Sequence, residues 1–129
     1  MARMIDHTGV TVRQGSVSRA FYEKALAPLG YAVLREIPPE FTGGRVVFGM
    51  GVPPKPDFWV AEGETIQTIH IAFRADSRAA VDAFYAAAIA AGAKDNGPPG
   101  PRPHYHEHYY GAFVLDPDGH NIEAVTHTP

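Results

Sequence analysis

Two histidines and a glutamate, His7, His70 and Glu123, are the residues of this sequence whose types and places could do chemistry. His70 lies in TIQTIHIAF (65–73), where Ile69, Ile71 and Phe73 alternate with Thr68, His70 and Ala72. That is the period of a strand with one strongly apolar face. An imidazole there needs a partner, which could be a backbone carbonyl, a water or a metal, because an unpaired polar group away from water is costly. His7 lies in a second strand pattern, IDHTGVTV (5–12), and Glu123 in a third, NIEAV, facing away from Ile122 and Ala124. A carboxylate in a core strand is expensive unless paired or metal-bound. Two imidazoles and a carboxylate make a facial triad, which leaves positions on a divalent metal open to water or substrate. Such a metal can polarise a carbonyl or enediolate oxygen, acidify water or, as Fe(II), bind dioxygen. The chain has no cysteine, so a metal site must use His, Asp, Glu or water.

The elements that must position these residues repeat. After His7 comes a helix pattern, SVSRAFYEKAL (16–26), stopped by Pro28 and Gly30. After His70 comes SRAAVDAFYAAAIAAG (77–92), with Val81, Phe84, Tyr85, Ala88 and Ile89 on one apolar stripe. Asp76 or Ser77 can cap its start and Gly92 can end it. Phe21-Tyr22 follows His7 by 14 residues, and Phe84-Tyr85 follows His70 by 14, an offset of 63 between the halves. A matched histidine with a matched aromatic pair points to an internal duplication. Strand patterns follow in each half: 31–37, 45–51 and 57–62 in the first, then a weak 93–96, 109–116 and 120–126 in the second. DPDG (116–119) suits the tight turn of a hairpin. Residues 1–129 therefore read as a single domain of two βαβββ modules, about 1–63 and 64–129.

Composition narrows the function classes. Apolar residues make up 45% and charged residues 19%, the balance of a soluble globular protein. The net charge is −3 with no basic block, which argues against nucleic acid as a partner. No run of 18 apolar residues offers a membrane span, the N-terminus does not read as a signal peptide, and a cytoplasmic location is the expectation.

The patterns IDHTGVTV–SVSRAFYEKALAPLGY, HIAF–FYAAAIAAG and YYGAFVLDPDGHNIEAV closely resemble the vicinal oxygen chelate superfamily, the glyoxalase / bleomycin-resistance / extradiol-dioxygenase group. The resemblance covers nearly the whole chain, and LDPDG followed by IE is its most specific piece. It implies an α+β fold in which paired βαβββ modules curl mixed sheets around a U-shaped cleft. It also implies metal ligands on the first and last strands of each module, here His7, His70 and Glu123. The fourth position falls on Trp59, where glyoxalase I typically has glutamate. The cofactor implied is a divalent ion such as Fe, Zn, Mn or Ni. The activity implied is that of a metal-dependent lyase, isomerase or dioxygenase acting on a small molecule chelated through vicinal oxygens. The rival is metal-free sequestration of a drug-like ligand, as in bleomycin-resistance proteins.

Other residues are expected to line the cleft. Trp59, Tyr109 and Tyr110 could stack on a flat ligand, and Arg102 could meet a substrate carboxylate or stay solvated. In HYHEHYY (104–110), His104, His106 and His108 would share one face of an extended segment, either as a second metal site or as the polar rim of the cleft. The partners expected are a small-molecule substrate or ligand and a second copy of the chain. The short segment AEGETIQ (61–67) favours a homodimer in which modules are exchanged, so that a site takes His7 from one chain and His70 with Glu123 from the other.

Overall fold

Alternating apolar strands and two striped helices fold into two similar halves in a computed structural model that describes residues 4–129. The first half runs β1 (Thr8–Val12), α1 (Gly15–Leu26), β2 (Ala32–Glu36), β3 (Val47–Gly51) and β4 (Phe58–Glu62). The second runs β5 (His70–Arg74), α2 (Arg78–Ala90), β6 (Lys94–Asp95), β7 (Gly100–Pro101), β8 (Tyr110–Leu115) and β9 (Asn121–Thr126). This is the expected α+β repeat of βαβββ units; β7, in a proline-rich segment read from sequence as a loop, is an addition. α2 starts where Ser77 accepts the Ala80 N–H at 3.1 Å. Gln14, before α1, makes no side-chain cap. Glu62 from β4 accepts the Gly15 N–H at 2.9 Å instead, and this bond, helped by the Val46 N–H, holds its carboxyl below the usual range.

The sheets run β1-β4-β3-β2 and β5-β9-β8-β6, with β7 also on β8, so β1 and β5 are both edge strands. Each pairs in parallel with the last strand of its own half. The register sets Gly9 beside Trp59 in the first sheet and Ala72 beside Glu123 in the second. Gly9 and Ala72 are 63 residues apart, so the repeat seen in the sequence is a repeat of register. One face of each sheet is apolar and covered by the helices. Val10, Val12, Phe58 and Val60 of the first sheet join Phe73, Val114, Ile122 and Ala124 of the second in one buried cluster. A chain of edge-to-face rings, Phe21–Tyr22–Phe58–Phe73–Tyr31, crosses between the halves with centroids 5.0–5.3 Å apart.

The turn between β8 and β9 ties the halves together. Gly119, at φ 90°, permits the turn, and its N–H reaches the Asp116 carbonyl at 3.0 Å. The buried Asp116 carboxylate accepts the N–H groups of Asp118 and His120, at 2.9 and 2.8 Å, and the hydroxyl of the fully buried Tyr22 on α1. Asp118 accepts the Arg13 N–H at 3.0 Å. His120, also fully buried, donates from Nε2 to the Thr11 carbonyl at 2.8 Å and accepts the Ile69 N–H on Nδ1 at 3.2 Å. Burial, reinforced by Asp116, pushes the Tyr22 phenol well up, so it stays a donor. No helix among the described residues is long and apolar enough to cross a membrane.

Tyr22→Phe is expected to lower unfolding stability by about 1.5–3 kcal/mol in urea titration, because it removes a buried hydrogen bond to a charged group. Tyr85→Phe, which loses a surface bond to Asp95, should change it by less than about 0.5 kcal/mol. Equal losses in the two variants would refute the role given to the turn.

Candidate functional site

The opposite, helix-free face of each sheet carries the residues of interest. On the second sheet, parallel pairing aligns His70 with Asn121 and Ala72 with Glu123, so the imidazole and carboxylate stand on neighbouring strands of one face. His70 Nε2 lies 2.9 Å from Glu123 Oε1. The Tyr109 hydroxyl donates to Oε2. Glu123 is only 1% exposed, whereas the His70 side chain is 50% exposed. A buried carboxylate thus has a partner on each oxygen, and one of those partners faces solvent. Burial first, and then Glu123, pushes the Tyr109 phenol far above its ordinary range, so it remains protonated. Room for this contact comes from Gly111, where a Cβ would lie 3.1 Å from the Tyr109 ring and 3.2 Å from Glu123 Oε2.

His7 stands apart from this pair. β4 begins at Phe58, and the first bond there runs from the Thr8 N–H to the Asp57 carbonyl, so His7 lies beyond the paired part of β1. Its Nδ1 meets Asp6 at 2.7 Å, and Asp6 in turn meets Lys55 Nζ at 3.0 Å. The bond to His7, then Lys55, lowers the Asp6 carboxyl below its ordinary range. His7 and His70 both line a groove of about 970 Å3 between β1 and β5, floored by Leu29, Tyr31, Phe58 and Phe73. Among the described residues of one chain, no three His, Asp or Glu side chains are grouped to hold a metal ion. Asp6 was missed in the sequence, where its only signal is adjacency to His7. His120 was missed because its role depends on what the turn docks against.

Trp59 occupies in the first sheet the register position of Glu123 in the second. Its half-buried indole lies over Gly49, where a Cβ would come within 2.9 Å of the ring and 3.0 Å of Pro56. The other expected cleft residues divide. Tyr109 is on Glu123, as described. Tyr110, the first residue of β8, points to the helix face, donating to Asp82 on α2 at 2.7 Å with Arg78 stacked 4.9 Å over its ring. Arg102 is turned inward on its own loop, donating to the carbonyls of Pro98, Gly100 and Pro101, with its guanidinium 5.6 Å over Phe113. The 104–110 segment is wound into turns, with the Tyr105 and His106 N–H groups both on the Arg102 carbonyl. Its histidines consequently diverge: His104 packs on Tyr105, His106 on His127, and His108 lies beside Glu107.

The donor set suits a borderline or hard divalent ion. His70 Nε2 and Glu123 Oε1, 2.9 Å apart and in hydrogen-bond contact with each other, are donors of the types such an ion takes. The sequence profile described as the Glyoxalase/Bleomycin resistance protein/Dioxygenase superfamily matches residues 4–124, and the chain belongs to that superfamily. Solved structures share its fold. A glyoxalase/bleomycin resistance protein from Albidiferax ferrireducens T118 is 28% identical, with 98% of this chain and 100% of that one covered and a TM-score of 0.73. A point mutant of the fosfomycin resistance protein FosX from Listeria monocytogenes, complexed with Mn(II) and 1S,2S-dihydroxypropylphosphonic acid, is 19% identical (96% and 92% covered, TM-score 0.69). A point mutant of glyoxalase I from Zea mays is 19% identical at TM-score 0.68; 94% of this chain matches 43% of that longer one. None of the curated proteins matches the chain.

Gly49→Ala is expected to cost about 1–3 kcal/mol by overpacking and to shift the emission of Trp59, the single tryptophan. Unchanged emission and stability would rule out the indole–glycine contact.

Proposed function

We propose that the protein is a cytoplasmic, metal-dependent enzyme of the lyase/isomerase or dioxygenase type, acting on a small organic molecule that presents two neighbouring oxygens. The observation that carries this reading is the buried Glu123 carboxylate facing a half-exposed His70 across 2.9 Å. His70 and Glu123 would hold a divalent ion, Fe, Zn, Mn or Ni, with His7 as third ligand. Asp6 on His7 Nδ1 leaves Nε2 as the donor, the carboxylate–histidine arrangement common at metal sites. When bound, the ion supplies a Lewis acid that withdraws charge from chelated oxygens. The chain's own part is to hold the ligands, keep Glu123 out of bulk water and offer the Trp59 indole as an apolar surface beside the reacting molecule. FosX, whose structure holds Mn(II) and a dihydroxypropylphosphonic acid, supports the substrate class by likeness of fold.

Because His7 does not join His70 and Glu123 within one chain, the proposed site is completed in a homodimer, with His7 supplied by a second copy. A second reading, metal-free sequestration of a flat ligand, is favoured by one observation: an indole stands where the repeat would place a second carboxylate.

Metal titration of the purified protein separates these readings. Stoichiometric binding, abolished in His70→Ala and Glu123→Ala, is the expected result; no binding leaves sequestration. Co-refolding His7→Ala chains with Glu123→Ala chains then tests exchange. In an exchanged heterodimer one site carries both defects and the other none, so half-normal stoichiometry at wild-type affinity is expected. If each site lay within one chain, every site would keep a defect and no normal site would appear.

A further inference from the structure

We infer that Tyr109 is a positioning residue that holds Glu123 as a one-oxygen ligand, by keeping Oε2 in a hydrogen bond while Oε1 faces His70. The inference rests on the metal-dependent reading above. A carboxylate left free beside a cation can offer one oxygen or both. Here the two oxygens are already assigned to different partners: the Tyr109 hydroxyl donates to Oε2, and His70 Nε2 stands at Oε1.

The tyrosine is held from several sides. Its carbonyl accepts the Arg102 N–H at 2.8 Å, and its N–H reaches the His106 carbonyl at 3.2 Å. Tyr105 and His127 meet its ring edge-to-face, with centroids 5.1 and 5.3 Å away. Gly111 leaves the space through which the phenol reaches the carboxylate. The winding of the 104–108 segment therefore has a consequence at the site: it delivers one phenol to one oxygen. Partners of this kind orient ligating carboxylates, and losing one typically costs about 10–100-fold in metal affinity.

The test uses the full chain, Mn(II) as the probe, and two readouts: affinity by calorimetry, and the separation of the antisymmetric and symmetric carboxylate stretches in protein labelled with 13C-glutamate. Wild-type protein should give the wide separation of one-oxygen coordination, absent in Glu123→Gln. Tyr109→Phe should bind Mn(II) about 10–100-fold more weakly, with the separation narrowed to that of two-oxygen coordination. Tyr105→Phe, which keeps the ring but not the hydroxyl beside Tyr109, should match wild type in both. A Tyr109→Phe protein with wild-type affinity or an unchanged separation overturns the inference and leaves the metal-dependent reading standing. A narrow separation in wild type overturns it even if Tyr109→Phe fails to fold. Wild-type protein that binds no Mn(II), Fe(II), Zn(II) or Ni(II) overturns the metal-dependent reading and this inference together.

Discussion

The docking of one five-residue turn against the other half of the chain is the constraint on which the rest of the structure depends. Asp116 to His120 make backbone and side-chain bonds to β1, to the β1–α1 connection, to α1 and to the segment entering β5. Three of the groups involved, Tyr22, Asp116 and His120, are buried. Such groups would be costly if left unpaired, so the halves are held in the one arrangement that pairs them. That arrangement buries the helix-covered faces against each other through α1, α2 and the ring chain. It leaves the other face of each sheet, with the edges of β1 and β5, for function. The corresponding connection in the first half, Val52 to Asp57, has no turn of this kind, and Val52 is 54% exposed. The repeat is thus symmetric in its sheets and asymmetric in what locks it.

The same asymmetry runs through the candidate site. Equivalent register positions hold Glu123 in one sheet and Trp59 in the other, and each is accommodated by a glycine on the neighbouring strand, Gly111 and Gly49. A buried carboxylate on a strand face is held in place when both oxygens have partners, as Glu123 does. An indole needs only a flat floor. The two halves have therefore diverged in chemistry at a position where the backbone has not, with the polar partners gathered in the second half and the apolar surface in the first.

How much of this was legible in the sequence follows from range. The duplication, both helices, the β8–β9 hairpin and the shared face of His70 and Glu123 depend on periodicity within a strand or helix and on a fixed offset, all of which sequence records. What escaped depends on where a neighbouring strand ends. His7 reads as a strand residue, but β4 starts too late to pair with it, so it is held by Asp6 and Lys55 instead. The strand read over 65–73 begins only at His70, and the Ile69 N–H before it is taken by the His120 ring. Tyr109 and Tyr110 are indistinguishable by composition; Tyr110 opens β8 and meets Asp82, whereas Tyr109 precedes the strand and reaches Glu123. Arg102 looked solvated because nothing in the sequence shows three carbonyls of its own loop curling around its guanidinium. The alternating histidines of 104–108 suggested one face, but turns rather than extension set their directions.

These local departures bear on how a site in this superfamily can be built from half-sites. One half offers a carboxylate with an imidazole in contact, both fixed by sheet register and by a phenol from an irregular loop. The other offers an imidazole outside its sheet, oriented by a neighbouring carboxylate and a lysine that are themselves exposed. The first arrangement is stiff because it is buried and paired on both sides. The second is exposed and held by its own ion pairs rather than by a ladder bond. In the proposed homodimer, the costly desolvation of Glu123 is met within one half during folding, and only an exposed imidazole, His7, has to be brought to it.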